Sequence, residues 1–90
     1  MNDDLDILRK RLRYRAHHRG MKEMDLILGP FADAHLGSYD AAELARFETV
    51  LDESDADFLS WITGQSPIRD GADTELVNAV TAFARKGMAG

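Results

Sequence analysis

Apolar residues recur three and four apart through most of this chain, and the alternation expected of a strand is sustained nowhere. Helices are therefore the predicted regular element. In the first, Leu5, Leu8, Leu12 and Ala16 share one face, with Asn2 or Asp3 available as its cap. After Gly20, a second segment gathers Met24, Ile27, Leu28, Phe31 and His35 within an arc of about 100°. Asp40 and Glu43 have capping-box spacing ahead of a third helix carrying Leu44, Phe47 and Leu51. Ser54, followed by Asp55 and Asp57, can open a fourth helix that turns Phe58, Leu59, Trp61 and Ile62 inward and stops at Gly64. Asp73 can cap a fifth, with Leu76, Val80, Phe83 and Ala84 facing the core. Gly29-Pro30 is the one local conflict, because a mid-helix proline removes a hydrogen bond and crowds the preceding turn. The apolar phase runs on from Leu28 to Phe31, so the spacing predicts one bent helix there, not two.

Such a chain has few other ways to stay folded. Ninety residues, 44% of them hydrophobic, suit a single domain over residues 1–90 with a thin core. Without cysteine, neither a disulfide framework nor a thiolate zinc site can reinforce it. The expected fold is all-α: a compact bundle of about five short helices. The start, "MNDDLDILRK", lacks the basic opening and apolar run of a signal peptide, and its acids do not suit a transit peptide. No apolar run approaches the roughly 20 residues needed to cross a bilayer. These features predict a soluble, cytoplasmic protein with no membrane insertion.

Charge is divided along the chain. From Met1 to Glu23, seven basic residues face four acidic ones, whereas the remainder holds four basic against twelve acidic. A basic arm on an acidic body could meet nucleic acid, an acidic lipid surface or an acidic protein patch. It could equally be a solvated face whose cations complement the helix dipole. Two short helices joined by "HHRG" have the gross form of a helix-turn-helix, but Glu23, Asp25 and Asp33 on the would-be recognition helix repel phosphate, which argues against DNA.

Chemistry finds no footing. No nucleophile motif is present, so the chain is not expected to be an enzyme. His17 and His18 diverge by about 100° on a helix and are poorly placed to share an ion. His35 reads as a histidine at the core rim. No glycine-rich turn cradles a dinucleotide, so no cofactor is expected to be held stably. Recognition has more support. Ile7, Arg11, Tyr14 and His18 form a second stripe on helix 1, opposite its core face, and Leu26 faces outward from helix 2. An aliphatic, aromatic and cationic stripe is what protein interfaces use.

The turn between the two helices, Arg19-Gly20-Met21-Lys22-Glu23, focuses the question. If the helix begins near Gly20, Glu23 sits close to its positive end, where it could cap free N–H groups and pair with Arg19. Gly20 has two explanations: a positive φ at the turn, or a partner surface lying against bare backbone. The reading favoured here is the second.

Arg-Gly-x-x-Glu, followed by "MDLILGPF", resembles the signature of the succinate dehydrogenase flavinylation factors, small FAD-assembly proteins of bacteria and mitochondria. The resemblance runs over roughly residues 8 to 67 and takes in Asp55, Asp57, Leu59, Trp61 and Gly64. His18 stands where the family often has a basic residue, and Met24 where leucine is common. The resemblance implies a five-helix protein that binds the flavoprotein subunit of succinate dehydrogenase, and of the related fumarate reductase. It would promote covalent attachment of FAD to a histidine of that client. It implies a client interface at Arg19, Gly20 and Glu23, flanked by Asp25 and by Arg11, Tyr14 and His18. The residues themselves also admit a regulatory interaction module with an unrelated partner.

Overall fold

In a computed structural model of the chain, residues 3–89 are described, with side-chain surroundings for 4–87. The apolar spacing resolves into five helices: α1 (Asp3–His17), α2 (Lys22–His35), α3 (Ala41–Leu51), α4 (Asp55–Ile62) and α5 (Thr74–Ala89). A short 3-10 turn, Leu36–Ser38, follows α2, and no strand occurs among the described residues.

Three helix starts follow from local side-chain chemistry. The Asp40 carboxylate accepts the Glu43 N–H and the Glu43 carboxylate accepts the Asp40 N–H, each at 2.9 Å. Two otherwise orphaned donors are satisfied by that exchange. Ser54 accepts from the Asp57 N–H at 3.4 Å, and Asp73 from the Leu76 N–H at 3.1 Å. The cap expected for α1 is not described: Asn2 lies outside the described residues and Asp3 outside the described side chains.

The helices enclose one apolar core, and among the described residues no polar or charged one is buried in it. Leu12 and Ala16 of α1 are fully buried, while Leu5 and Leu8 pack at its edge. Phe31 of α2 lies at the meeting point of helices. Its ring stacks near Phe47 of α3 at 5.9 Å and takes the edge of Phe83 of α5 at 5.6 Å. Such pairs add roughly 0.5–1.5 kcal/mol to the burial of the rings. Trp61 packs inward beside Phe58. His35 sits half-buried at the rim, against Phe31 and Phe83, as the sequence suggests. The buried face of α5 is wider than predicted, since Val77 is fully buried beside Leu76 and Val80.

The helix α2 runs unbroken through Pro30, whose ring is exposed. Gly29, beside it, has its own reason to be glycine. A Cβ there would come within 2.5 Å of the His17 imidazole, so the bare backbone lets the end of α1 lie directly on α2. The turn between α1 and α2 is held close in this way, and it carries most of the residues that the sequence singles out.

Candidate functional site

Most of the basic arm is turned inward. Arg9 gives its Nε–H to the Leu36 carbonyl at 3.0 Å and an Nη–H to the Tyr39 carbonyl at 2.9 Å, supplying donors to the end of α2 and the 3-10 turn. Arg15 pairs with Asp52 at 2.9 Å, and Arg13 lies 3.6 Å from Asp33, which also faces the His17 ring. The uneven charge along the sequence is therefore largely neutralised within the fold. Among the described residues, Lys10, Arg11 and Lys22 have no carboxylate partner.

Arg19 goes furthest inward. Its side chain is 10% exposed, and that of its partner Asp55, at 2.8 Å, is 20% exposed. The guanidinium also donates to the Leu51 carbonyl, and to the Glu53 carbonyl at 2.9 Å. Leu51 ends α3 and Asp55 begins α4. One cation thus satisfies orphaned carbonyls where α3 ends and balances a carboxylate where α4 starts. Glu53 is gripped from its other end by Arg69, whose guanidinium meets its carboxylate at 2.7 and 3.0 Å. The backbone N–H of Arg19 donates to the Asp25 carboxylate, which ties the turn to the first turns of α2.

Three expectations about the turn change on this geometry. The helix begins at Lys22, after an extended Met21 with no side-chain cap, not at Gly20. Arg19 pairs with Asp55, not Glu23, because the guanidinium is drawn under the turn by the carbonyls between α3 and α4. Gly20 has φ +93°, so its conformation, and not a helical backbone laid bare for a partner, accounts for the glycine. The space around its missing Cβ is nevertheless open.

The other candidate residues stay on the outside. Glu23 is exposed on the first turn of α2, and among the described residues nothing pairs with it. Arg11 is exposed on α1 and His18 just past its end, with Tyr14 65% exposed between them. The Tyr14 and His18 rings stack at 4.1 Å, and the His18 Nδ1–H donates to the Tyr14 carbonyl at 2.9 Å. That contact fixes both rings before any partner arrives, which lowers the entropy cost of binding through them. Ile7 and Leu26 are the other large apolar residues exposed on the described surface. Of the seven candidate residues, Arg11, Tyr14, His18, Gly20 and Glu23 are presented outward, whereas Arg19 and Asp25 hold the turn that presents them. Among the described residues, no three potential ligands gather to hold a metal ion.

The sequence passed over a second feature nearby, a trough bounded by α2, α4 and α5. Glu23 and Leu26 line it together with Pro30, Phe83 and Gly87. The exposed Pro30 was the available signal, masked by its more obvious meaning as a threat to the helix.

A family model described as flavinator of succinate dehydrogenase matches residues 10–84, which include every candidate residue on the two helices and their turn. The chain is 31% identical to the FAD assembly factor SdhE of Acetobacter pasteurianus over 92% of its own length and 76% of that protein's. It is 35% identical to the mitochondrial succinate dehydrogenase assembly factor 2 of Penicillium rubens, over 90% of this chain and 26% of that one. The mitochondrial factor 2-B of Drosophila ananassae is 35% identical over 84% of this chain and 48% of its own. The chain thus spans less than half of these two mitochondrial relatives. By the match over its helical core, this chain belongs to the family of flavinators of succinate dehydrogenase.

Proposed function

We propose that this protein is an assembly factor that binds the flavoprotein subunit of succinate dehydrogenase and promotes covalent attachment of FAD to a histidine of that subunit. The flavoprotein of fumarate reductase is a second client in this reading, and the cytoplasm is where the protein acts. Among the described residues no helix is long and apolar enough to cross a membrane. The observation that carries the proposal is the family match over residues 10–84, which spans the whole surface from Arg11 to Asp25.

The geometry gives that match a physical sense. Joining a histidine nitrogen to the methyl carbon of a flavin ring breaks a methyl C–H bond and the imidazole N–H and leaves the ring reduced by two electrons and two protons, so the two groups must be held in line while negative charge develops on the flavin. A small partner supplies the alignment by favouring one arrangement of its client. A turn clamped by Arg19, with Gly20, Glu23 and the stacked Tyr14–His18 pair facing outward, is a rigid surface for that task. FAD is held by the client, and the factor carries none of its own. Deletion of the gene, followed by in-gel flavin fluorescence of denatured host protein, tests the proposal. The band at the flavoprotein's size is expected to fade and to return with the wild-type gene; an undiminished band overturns the assembly role.

A further inference from the structure

The trough between α2, α4 and α5 has a volume of about 520 Å³ and is walled by Glu23, Leu26, Ile27 and Pro30 on one side and by Phe83, Ala84 and Gly87 on the other, with Leu59 of α4. On α2 the wall residues follow a helical stripe, so the wall is about 10 Å long, enough for two turns of a partner helix. Every lining side chain but one is apolar, and the exception is the Glu23 carboxylate at the start of the stripe. The same wall holds a second acceptor. Pro30 has no N–H, so the Leu26 carbonyl lacks the hydrogen bond that the next helical turn would give it.

The trough is wide open, which decides what can fill it. Leu26 is 66% exposed, and Glu23, Pro30 and Gly87 also lie at the surface. A small ligand is held by burial of most of its area, which these walls do not offer. A protein segment suits them, because it brings its own backbone to complete the cover. Glu23 is shared between the trough and the turn, so a client resting on the turn already touches the trough's end.

We propose that the trough is the second half of the client site, seating an apolar segment of the flavoprotein that sets an arginine or lysine against Glu23. The proposal rests on the assembly role above. It gives Glu23 a function distinct from capping: its charge selects the cation, and the apolar walls select the segment that bears it.

Gly87→Glu and Leu26→Glu test this. Beyond the helix's own backbone, no atom of the described residues lies within 4 Å of a Cβ at Gly87, and glutamate is the better helix former, so Gly87→Glu is expected to keep or raise the melting temperature. Both variants place a carboxylate among the apolar walls. Calorimetric titration of the purified flavoprotein subunit is expected to show at least about a tenfold loss of affinity for each, with circular dichroism unchanged. Variants that bind within twofold of a wild-type protein that does bind would overturn the trough and leave the assembly role standing. A wild-type protein that binds no flavoprotein would remove both. Two controls name other occupants: free FAD titrated by fluorescence quenching, and self-association measured by light scattering. Either interaction, present in the wild type and abolished by Gly87→Glu, would also overturn the assignment.

Discussion

Two arginines clamp helices that are distant in sequence, and they do it on opposite terms. Arg19 reaches from the α1–α2 turn to Asp55, 36 residues away, and Arg46 reaches from α3 to Asp73 and Glu75 at the start of α5. Each binds a carboxylate near the beginning of a helix. Arg19 and Asp55 are nearly withdrawn from water, whereas Arg46 is 45% exposed and Glu75 85%. Arg19 also serves backbone carbonyls, which have no simple replacement if it is lost. Asp73, 19% exposed, is as screened as Asp55, but it keeps the Leu76 N–H, and water can reach Arg46 itself and take over Glu75. The same side chain is therefore a structural requirement in one place and a modest contributor in the other.

Arg19→Met should break the first clamp at a cost on the order of 3 kcal/mol, because it leaves Asp55 and the carbonyls uncompensated in a half-dry site. Thermal melting beside Arg46→Met checks the contrast; equal losses in the two variants would erase it. Gly20→Ala comes next. At φ +93° a Cβ is strained, so the free domain should lose about 1 kcal/mol or more. A neutral or stabilised variant would return Gly20 to the class of residues kept bare for a partner.

The Arg46 clamp carries a pH signature. Hydrogen bonding from Arg46, the leading cause, holds the Asp73 carboxyl below its ordinary value; burial opposes it, and the Leu76 N–H and the Arg46 charge add to the lowering. A carboxyl lowered on folding adds stability above its unfolded pKa, about 3.9, and loses it as pH falls through the folded value. The difference in melting temperature between wild type and Arg46→Met should therefore be present at pH 7 and shrink below about pH 4. A constant difference would mean that the pair is not what Arg46 contributes. The smallest effect on stability is expected for Glu23→Ala, within about 0.5 kcal/mol, because the side chain is exposed and unpaired. The same variant should bind the flavoprotein subunit more weakly, measured by calorimetry, which separates the surface that acts from the clamp that holds it.

Sequence made the local features legible and the distant ones not. The Asp40–Glu43 box and the Ser54 and Asp73 caps span three residues, and helical spacing located the core faces of all five helices. Arg19 stands out in the sequence as part of a motif, but its partner is not legible there, because nothing local links the turn to Asp55. Gly20 is illegible for a related reason: a glycine beside a helix start looks the same in sequence whether its φ is negative or, as here, positive. Gly29 was hidden differently. Its meaning depends on His17 crossing above it, while the adjacent proline drew attention to the wrong property of the pair.

Trp61, the chain's single tryptophan, lies on α4 with its indole almost wholly screened from water. An indole in such surroundings emits at shorter wavelength than one in solvent, so the molecule carries its own optical gauge. The gauge stands in the helix whose first residue Arg19 grips. Arg19→Met should shift the emission to the red as α4 loosens, whereas Gly20→Ala, which strains the turn without releasing that grip, should leave its colour unchanged.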